Sequence, residues 1–256
     1  MINNNNIINL EDILDLSIES KEEYHSIYEN KFLPRVTAII AKIIEEPQFY
    51  FWSNSLGLQG KQYMEVMNDI CNFGLRTHKG IELFIKGKQV PDETPWNSFN
   101  GFLKWWNIIN ENNNIIVLGQ EQQMIGKYYG GTYDLLLKVN DKVILVDFKT
   151  SSSITYKYWI QMSAYKQLLK DTKNIDLDYI ILLQLSKYED TFQEYLLDLN
   201  EVNDKKYIDE CYKTFQSMLY TYYHIINLYE YFNYRWEYDI NAKEGRRPIE
   251  FLVRSV

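Results

Sequence analysis

A short hairpin signature constrains the fold of this 256-residue chain more than any other part of the sequence. The polar pair Asn140-Asp141 separates two apolar runs, Leu135–Leu137 and Val143–Val146. Two such runs around a two-residue polar turn are typical of a β-hairpin. Counting back along the two strands from that turn places Asp134 directly opposite Asp147, on one side of the sheet. The sequence therefore predicts two carboxylates that face each other near one end of a hairpin.

Lys149 adds a positive charge to the same predicted patch. Side chains alternate along a strand, so Asp147 and Lys149 project to the face that Asp134 shares. Gly130-Gly131, just before Asp134, would let another backbone approach closely. Two like charges about 4 Å apart repel by roughly 4 kcal/mol at an effective dielectric of about 20, which favours a shared proton or a bound cation. Oxygen ligands suit Mg²⁺, with Mn²⁺ as a substitute. The alternative is that both acids are solvated and have no function.

Three motifs follow one another along the chain. They are a Gly-x-x-Asp segment, an Asp-x-Lys segment and a Gln-x-x-x-Tyr segment, at Tyr129–Asp134, Leu145–Ser151 and Gln161–Tyr165. In this order they resemble the PD-(D/E)XK nuclease superfamily and, within it, the RecB-like exonuclease branch. Pro34–Thr37 is also similar to a segment of mitochondrial genome maintenance exonucleases and related phage exonucleases. The resemblance implies a restriction-endonuclease-like core that hydrolyses DNA with a bound divalent metal.

Residues 61–86 have the three- and four-residue apolar spacing of an amphipathic helix, with His78 on its inward side. A lone histidine in such a position is commonly a core residue. RecB-like nucleases, however, carry a Gly-x-x-x-His-x-x-x-Glu helix whose histidine reaches the metal, and Gly74, His78 and Glu82 have that spacing. Neutral imidazole can ligate Mg²⁺ or Mn²⁺. The resemblance therefore implies His78 as a ligand and leaves Glu82 as a structural residue.

The resemblance and the charges together predict a mechanism. His78, Asp134, Asp147 and the backbone carbonyl of Phe148 would hold one or two divalent cations. A cation there would lower the pKa of its bound water and draw charge from the phosphate oxygens. Lys149 would orient that water or neutralise charge in the transition state.

Glu121 is a further candidate, because the family carries a glutamate on the strand before Gly-x-x-Asp. With Gly126-Lys127 as the turn, Glu121 pairs with Thr132, which in turn pairs with Lys149. Glu121 would then orient Lys149 or hold a metal-bound water, unless the neighbouring glycines introduce a bulge. The alternative is an exposed glutamate on a strand.

A helix is expected from about Tyr156 to Lys170, and it places Gln161 and Tyr165 on one face. In the family these two residues contact the DNA backbone near the active site, whereas the alternative is that Tyr165 only packs the helix on the sheet. Lysines of this helix could supply local positive charge to DNA or be solvated surface residues: Lys157, Lys166 and Lys170.

The fold class expected is α/β, with a mixed sheet in the order strand, strand, strand, helix, strand, strand, flanked by helices and closed by a long C-terminal helix. Residues 1–110 would be a mainly helical part that carries the His78 helix, and residues 111–256 the nuclease core, together one compact domain. The other predicted elements are a helix at 7–30, a helix from an N-cap at Thr37 to Ile43, a loop at 88–100, a helix at 102–109, strands at 115–118, 179–185 and 194–199, and a helix at 203–233.

Composition limits the classes of partner. A formal charge of −8 argues against a broad DNA-coating surface but permits a local basic groove. The sequence shows no secretory signal and no apolar run near the roughly 20 residues of a membrane span, which predicts a cytoplasmic protein without membrane contact. Cys71 and Cys211 cannot supply the four-cysteine iron–sulfur cluster of some RecB-like nucleases. A bias towards Asn, Ile, Lys and Tyr hints at a phage gene expressed in a bacterial host.

The function predicted is a divalent-metal-dependent DNA exonuclease that acts on single-stranded DNA or duplex ends in phage-type replication, recombination or processing. A helicase or recombination partner is implied by the resemblance alone. Two alternatives remain open at this point. One is a catalytically inactive relative that binds DNA ends or a partner, and the other is a PD-(D/E)XK endonuclease.

Overall fold

The computed structural model describes residues 24–28 and 31–231, and the side chains of residues 33–226. Its elements follow the chain in this order: β1 (Tyr24–Tyr28), β2 (Lys31–Pro34), α1 (Val36–Ile43), α2 (Pro47–Leu58), α3 (Tyr63–Ile85), α4 (Trp96–Asn110), β3 (Ile115–Ile125), β4 (Gly130–Val139), β5 (Lys142–Lys149), α5 (Tyr156–Lys173), β6 (Tyr179–Leu185), β7 (Phe192–Asp198) and α6 (Val202–Tyr231).

A five-stranded mixed sheet forms the centre of the molecule, in the order β3-β4-β5-β6-β7. The β4–β5 hairpin has the predicted register, with Val139 opposite Lys142 and Leu135 opposite Val146. Asn140 supplies the positive φ of 53° that a tight hairpin turn requires. The β5 and β6 strands are parallel and joined through α5, whereas the remaining pairs are antiparallel. The predicted α/β class and strand order are confirmed, and they are consistent with a restriction-endonuclease-like core.

Two apolar cores lie on the two faces of this sheet, because the strand residues alternate between them. One core joins the sheet to α1, α5 and α6, and it includes Ile39, Met162 and Phe215. The other joins the opposite face to α3 and α4, and it includes Phe102 and Phe148. Both faces of the sheet are thus covered, so a functional site is expected at the ends of its strands.

The N-terminal part differs from the sequence prediction. Tyr24–Tyr28 form a strand that pairs with β2, so the helix predicted over 7–30 is wrong for these residues. The rest of that predicted helix lies outside the described residues. The helix that ends at Ile43 has Arg35 as its N-cap residue, without a side-chain cap, so Thr37 does not cap it.

Several boundaries also differ from the prediction. Helix α4 begins at Trp96, within the predicted loop, with Pro95 as its N-cap residue. Helix α5 continues to Lys173 and ends where Asn174 adopts a left-handed conformation, with φ 52° and ψ 38°. Within the described part of the chain, no helix combines the length and the apolar character that crossing a membrane requires.

Candidate active site

The site forms where β4 and β5 separate. Their regular pairing ends at Leu135 and Val146, one residue before the two predicted acids. Beyond these residues a side chain of β4 bonds to the backbone of β5: Asp134 Oδ2 accepts a hydrogen bond from the Phe148 backbone N–H at 2.7 Å. Asp134 is therefore fixed by the neighbouring strand.

His78 reaches the same point from α3. Its Nε2 lies 3.2 Å from the Phe148 carbonyl oxygen, and its Nδ1 lies 3.5 Å from Asp134 Oδ1 and 3.7 Å from Glu121 Oε1. The imidazole also meets the Phe148 ring edge to face, with 5.7 Å between ring centroids. The histidine thus bridges a backbone carbonyl on one side and two carboxylates on the other.

The register predicted for Glu121 is wrong. The β3–β4 connection runs from Gly126 to Tyr129, which are linked by a 3.0 Å backbone hydrogen bond, so it is longer than the two-residue turn that the sequence suggested. Thr132 consequently pairs with Gln123. Glu121 lies between the pairs Gln120–Leu135 and Gln122–Tyr133, at the level of Asp134, and has a positive φ of 47°. Its carboxylate therefore approaches His78 and not Lys149.

His78, Glu121 and Asp134 together form what we term the His78 group. One potential ligand atom from each residue lies within 4.8 Å of the others. One imidazole nitrogen and two carboxylate oxygens are a donor set that divalent cations such as Mn²⁺ or Mg²⁺ accept. The Glu121 side chain is 32% exposed, which leaves the group open on one side. These residues fit a divalent cation.

Asp147, Lys149 and Gln161 form a second cluster, which we term the Lys149 group. Lys149 Nζ lies 2.6 Å from Asp147 Oδ2, and both side chains are largely buried. Gln161 of α5 joins the two ends of this ion pair, because its Nε2 donates to Asp147 Oδ1 and its Oε1 accepts from Lys149 Nζ, each at 3.2 Å. The Lys149 ammonium also lies 4.4 Å from the centroid of the Tyr158 ring. The two predicted acids thus contact different partners, Asp134 towards α3 and Asp147 towards α5.

The two groups perturb the pKa values of their members. Burial alone would lower the pKa of His78, but Asp134, Glu121 and Asp147 raise it well above its usual value. Burial would raise the pKa of Asp134, yet His78, Lys149 and the Phe148 N–H hold it below the usual range. The imidazolium and the Asp134 carboxylate therefore stabilise each other's charged forms.

The Lys149 group has a different balance. Burial, reinforced by the negative charge of Asp134, raises the pKa of Asp147 to about 6, and Lys149 offsets part of that shift. Burial tends to lower the pKa of Lys149, but Asp147 and Asp134 raise it overall, so the ammonium stays charged at neutral pH. Lys149 is therefore a cation and not a base in this arrangement.

The residues predicted to contact DNA are closely packed. Tyr165 is 4% exposed, and a Cβ on Gly131 would lie 2.4 Å from its ring, so this tyrosine packs α5 against β4. Gln161 is 8% exposed, and its amide is bound within the Lys149 group. Lys157 pairs with Glu46 and donates to the Ile44 carbonyl at 3.3 Å. Contact of these three residues with DNA stays a prediction.

Tyr158 was not among the residues singled out from the sequence. It precedes Gln161 by three positions and so lies on the same side of α5. That spacing was a usable signal, because an aromatic ring there can reach the lysine that Gln161 also contacts.

Neither a protein-family model nor a curated protein sequence matches the chain. Among solved structures, it is similar to the crystal structure of SSO0001, with 17% identity over 73% of this chain and 77% of that one and a TM-score of 0.35. It is also similar to an alkaline exonuclease (LHK-Exo) from Laribacter hongkongensis, with 10% identity over 78% of this chain and 94% of that one and a TM-score of 0.32. Similarity at this level does not assign an activity to the chain.

Proposed function

We propose that the protein is a divalent-metal-dependent deoxyribonuclease that hydrolyses phosphodiester bonds, acting as an exonuclease. One observation carries this proposal. An imidazole, three carboxylates and a lysine from four separate elements converge at one end of the sheet, around the Asp-x-Lys strand. Such a concentration of buried charge is costly for folding, which favours a catalytic role over a structural one.

The His78 group supplies the donors for a cation, and the other predicted ligands, Asp147 and the Phe148 carbonyl, adjoin it on β5. When bound, the cation would lower the pKa of a coordinated water and stabilise charge on the phosphate oxygens. Asp134 is oriented for this task by the Phe148 N–H, and His78, Lys149 and that N–H together lower the pKa of its carboxyl group.

Lys149 acts electrostatically in this proposal. Its ammonium is held by Asp147 and Gln161 and remains protonated, so it can stabilise the negative charge that develops on the phosphate or orient the attacking water. Gln161 limits the movement of the ammonium because the amide binds both ends of the ion pair. The exonuclease mode, the DNA substrate and a phage-type role rest on the motif resemblance.

Purified protein should be incubated with Mg²⁺ or Mn²⁺ and with end-labelled single-stranded, duplex and circular DNA. Asp147→Ala and Lys149→Ala are expected to abolish cleavage, and Asp147→Ala is also expected to weaken metal binding. Lys213→Gln, at an exposed lysine of α6, is the matched control and should cleave normally.

The products separate the proposal from its alternatives. Short products from linear DNA, with circles left intact, support an exonuclease and show its polarity. Cleaved circles would identify an endonuclease instead. Binding without cleavage under any of these metal conditions would favour the inactive DNA-end-binding relative, and full activity in either active-site variant would contradict the assignment.

A further inference from the structure

A cleft of about 670 Å³ opens beyond the end of β5, the strand that carries Asp147 and Lys149. It begins at Thr150, the residue that follows Lys149, and is bounded by Trp52 of α2 and Ile70 of α3. Helix α3 runs along both places, because Ile70 and His78 are roughly 12 Å apart along its axis. The cleft and the proposed catalytic site therefore lie along the same two elements, at the end of β5 and about two turns apart on helix α3.

The polar lining of the cleft suits an anionic ligand. Thr150, Ser151 and Ser152 contribute hydroxyl-bearing residues on one side, and Lys187 of the β6–β7 connection contributes a positive charge. None of the described residues that line the cleft carries a carboxylate, although the whole chain has a formal charge of −8. Hydroxyl groups and a lysine are common donors to phosphate oxygens.

Aromatic side chains supply the remainder of the wall. Trp52 lines the cleft from α2 and is held edge to face against Tyr63, with 5.6 Å between ring centroids. Tyr188 lines it from the β6–β7 connection and is 87% exposed. An exposed aromatic ring beside hydroxyl groups and a lysine is the combination that binds single-stranded nucleic acid, in which bases stack on rings and the backbone follows positive charge.

The β6–β7 connection is held by contacts with α4 and α3. Ser186 Oγ accepts a hydrogen bond from the Tyr188 backbone N–H at 3.3 Å, and Ser98 Oγ of α4 donates to the Ser186 carbonyl at 2.7 Å. The Lys187 ammonium lies 5.3 Å from the centroid of the Phe73 ring on α3. Because these contacts fix the connection on both sides, less conformational entropy is lost when a ligand binds.

We infer that this cleft holds an unpaired nucleotide of the DNA strand that is being cut, with its base on Tyr188 and Trp52 and its phosphate near Lys187 and Thr150–Ser152. The inference rests on the proposed function and makes it more specific, because an unpaired nucleotide beside the scissile phosphate selects a single-stranded end. A paired base cannot stack on these rings, so a blunt duplex must first open there.

The test uses single-stranded oligonucleotides that carry 2-aminopurine at successive positions from each end, titrated with the full chain in EDTA. Stacking on an aromatic ring quenches this base, so quenching is expected at one or a few adjacent positions. Tyr188→Ala should reduce the quenching and weaken binding by about tenfold, within the range known for loss of one base–aromatic stack, and adding Trp52→Ala should abolish the quenching. Tyr188→Phe should retain both, and Tyr207→Ala, at a partly exposed tyrosine of α6, is the control.

Lys187→Gln tests the phosphate contact separately. Removing one phosphate contact should reduce the slope of log affinity against log salt concentration by about 0.7 for a single strand. Lys213→Gln, which removes a lysine from α6 outside the cleft, should leave the slope unchanged. Binding of a blunt duplex should be insensitive to Tyr188→Ala.

Hydrolysis with Mg²⁺ is measured in parallel, so that the two proposals fail separately. Hydrolysis by the wild type, with Tyr188→Ala and Lys187→Gln binding single strands like their controls, would overturn the cleft assignment and leave the nuclease intact. Cleft-dependent quenching without hydrolysis under any metal condition would support the cleft and overturn the nuclease. Undiminished quenching in the double variant Tyr188→Ala, Trp52→Ala would also overturn the cleft assignment.

Discussion

The His78 group and the Lys149 group lie side by side but balance their charges differently. In the Lys149 group, one carboxylate meets one ammonium at 2.6 Å, and an amide satisfies both partners. In the His78 group, two carboxylates share a single imidazole, at 3.5 and 3.7 Å. The first group is internally neutral and buried, whereas the second keeps an excess of negative charge and an open side.

This difference suggests that the two groups have different roles in catalysis. The neutral Lys149 group is complete without a metal, so it can keep its ammonium in place while substrate and cation exchange. The His78 group lacks one positive charge, and a divalent cation would supply it. Substitutions in the two groups should therefore separate loss of stability from loss of metal affinity.

The largest effect on stability is expected from Lys149→Met. It leaves the Asp147 carboxylate, which is 2% exposed, without its counter-ion. Breaking a buried ion pair from one side typically costs about 3–5 kcal/mol of unfolding free energy. Urea denaturation at pH 8 measures this cost, and Asp147→Asn combined with Lys149→Met should recover most of it. If Lys149→Met alone were as stable as the wild type, Asp147 would have to be solvated or already protonated.

Glu121→Gln should act mainly on metal affinity. It removes one of the two carboxylates of the His78 group, so Mn²⁺ affinity measured by calorimetry is expected to fall by at least about tenfold. A tenfold loss is the lower end of the range known for residues that only hydrogen-bond a metal ligand. Its unfolding free energy should change little because the side chain is partly exposed. Asp147→Asn is the comparison, with a smaller expected loss of affinity. Equal losses in both variants would mean that one cation contacts both groups.

Gly131→Ala should disturb the Lys149 group through packing alone. The added Cβ would lie 2.4 Å from a Tyr165 ring carbon, which forces α5 and therefore Gln161 to shift. Overpacking of this kind costs about 1–3 kcal/mol, and hydrolysis should fall while Mn²⁺ affinity is largely kept. Gly57→Ala, at a helical glycine with nothing within 4 Å of the new Cβ, is the control. A Gly131→Ala variant with wild-type stability and hydrolysis would show that β4 and α5 can separate freely.

The smallest effect is a change of stability with pH. The folded-state pKa values of His78 and Asp147 are both raised, the latter to about 6. Each group therefore contributes stability that is fully present below its unfolded pKa and is lost as pH rises through its folded pKa. Without metal, the melting temperature should fall as pH rises through these folded-state pKa values. The fall should be smaller in His78→Asn.

Added Mg²⁺ should reverse this trend, because a cation must displace the proton of His78 and so binds better at higher pH. The gain in melting temperature on adding Mg²⁺ is then expected to increase with pH. A gain that is independent of pH would argue that His78 does not contact the cation.

Local patterns in the sequence were sufficient to predict much of the site. The β4–β5 hairpin followed from a turn pair and two apolar runs, and its register was confirmed as far as Leu135 and Val146. The side of α5 that carries Gln161 and Tyr165 followed from helical periodicity. Both kinds of prediction hold because turn chemistry and residue periodicity act over only a few residues.

Contacts between distant segments were predicted less well. The pair Gly126-Lys127 predicts a two-residue turn, but the connection extends to Tyr129, so that Glu121 lies beside His78 and not beside Lys149. The strand at Tyr24–Tyr28 was also missed, because its polar sequence lacks the alternation that identifies a half-buried strand.

The sequence by itself determined which charged residues β4 and β5 carry and how these two strands align, since a short turn leaves a single register. Only the tertiary structure decided how those charges are grouped. Asp134 turns towards α3 because the Phe148 N–H and His78 bind its carboxylate, and Asp147 turns towards α5 because Lys149 and Gln161 bind its own. The physical reason is that a buried carboxylate takes the orientation in which its hydrogen bonds and charge are satisfied, and some of those partners, His78 of α3 and Gln161 of α5, come from helices packed on the sheet.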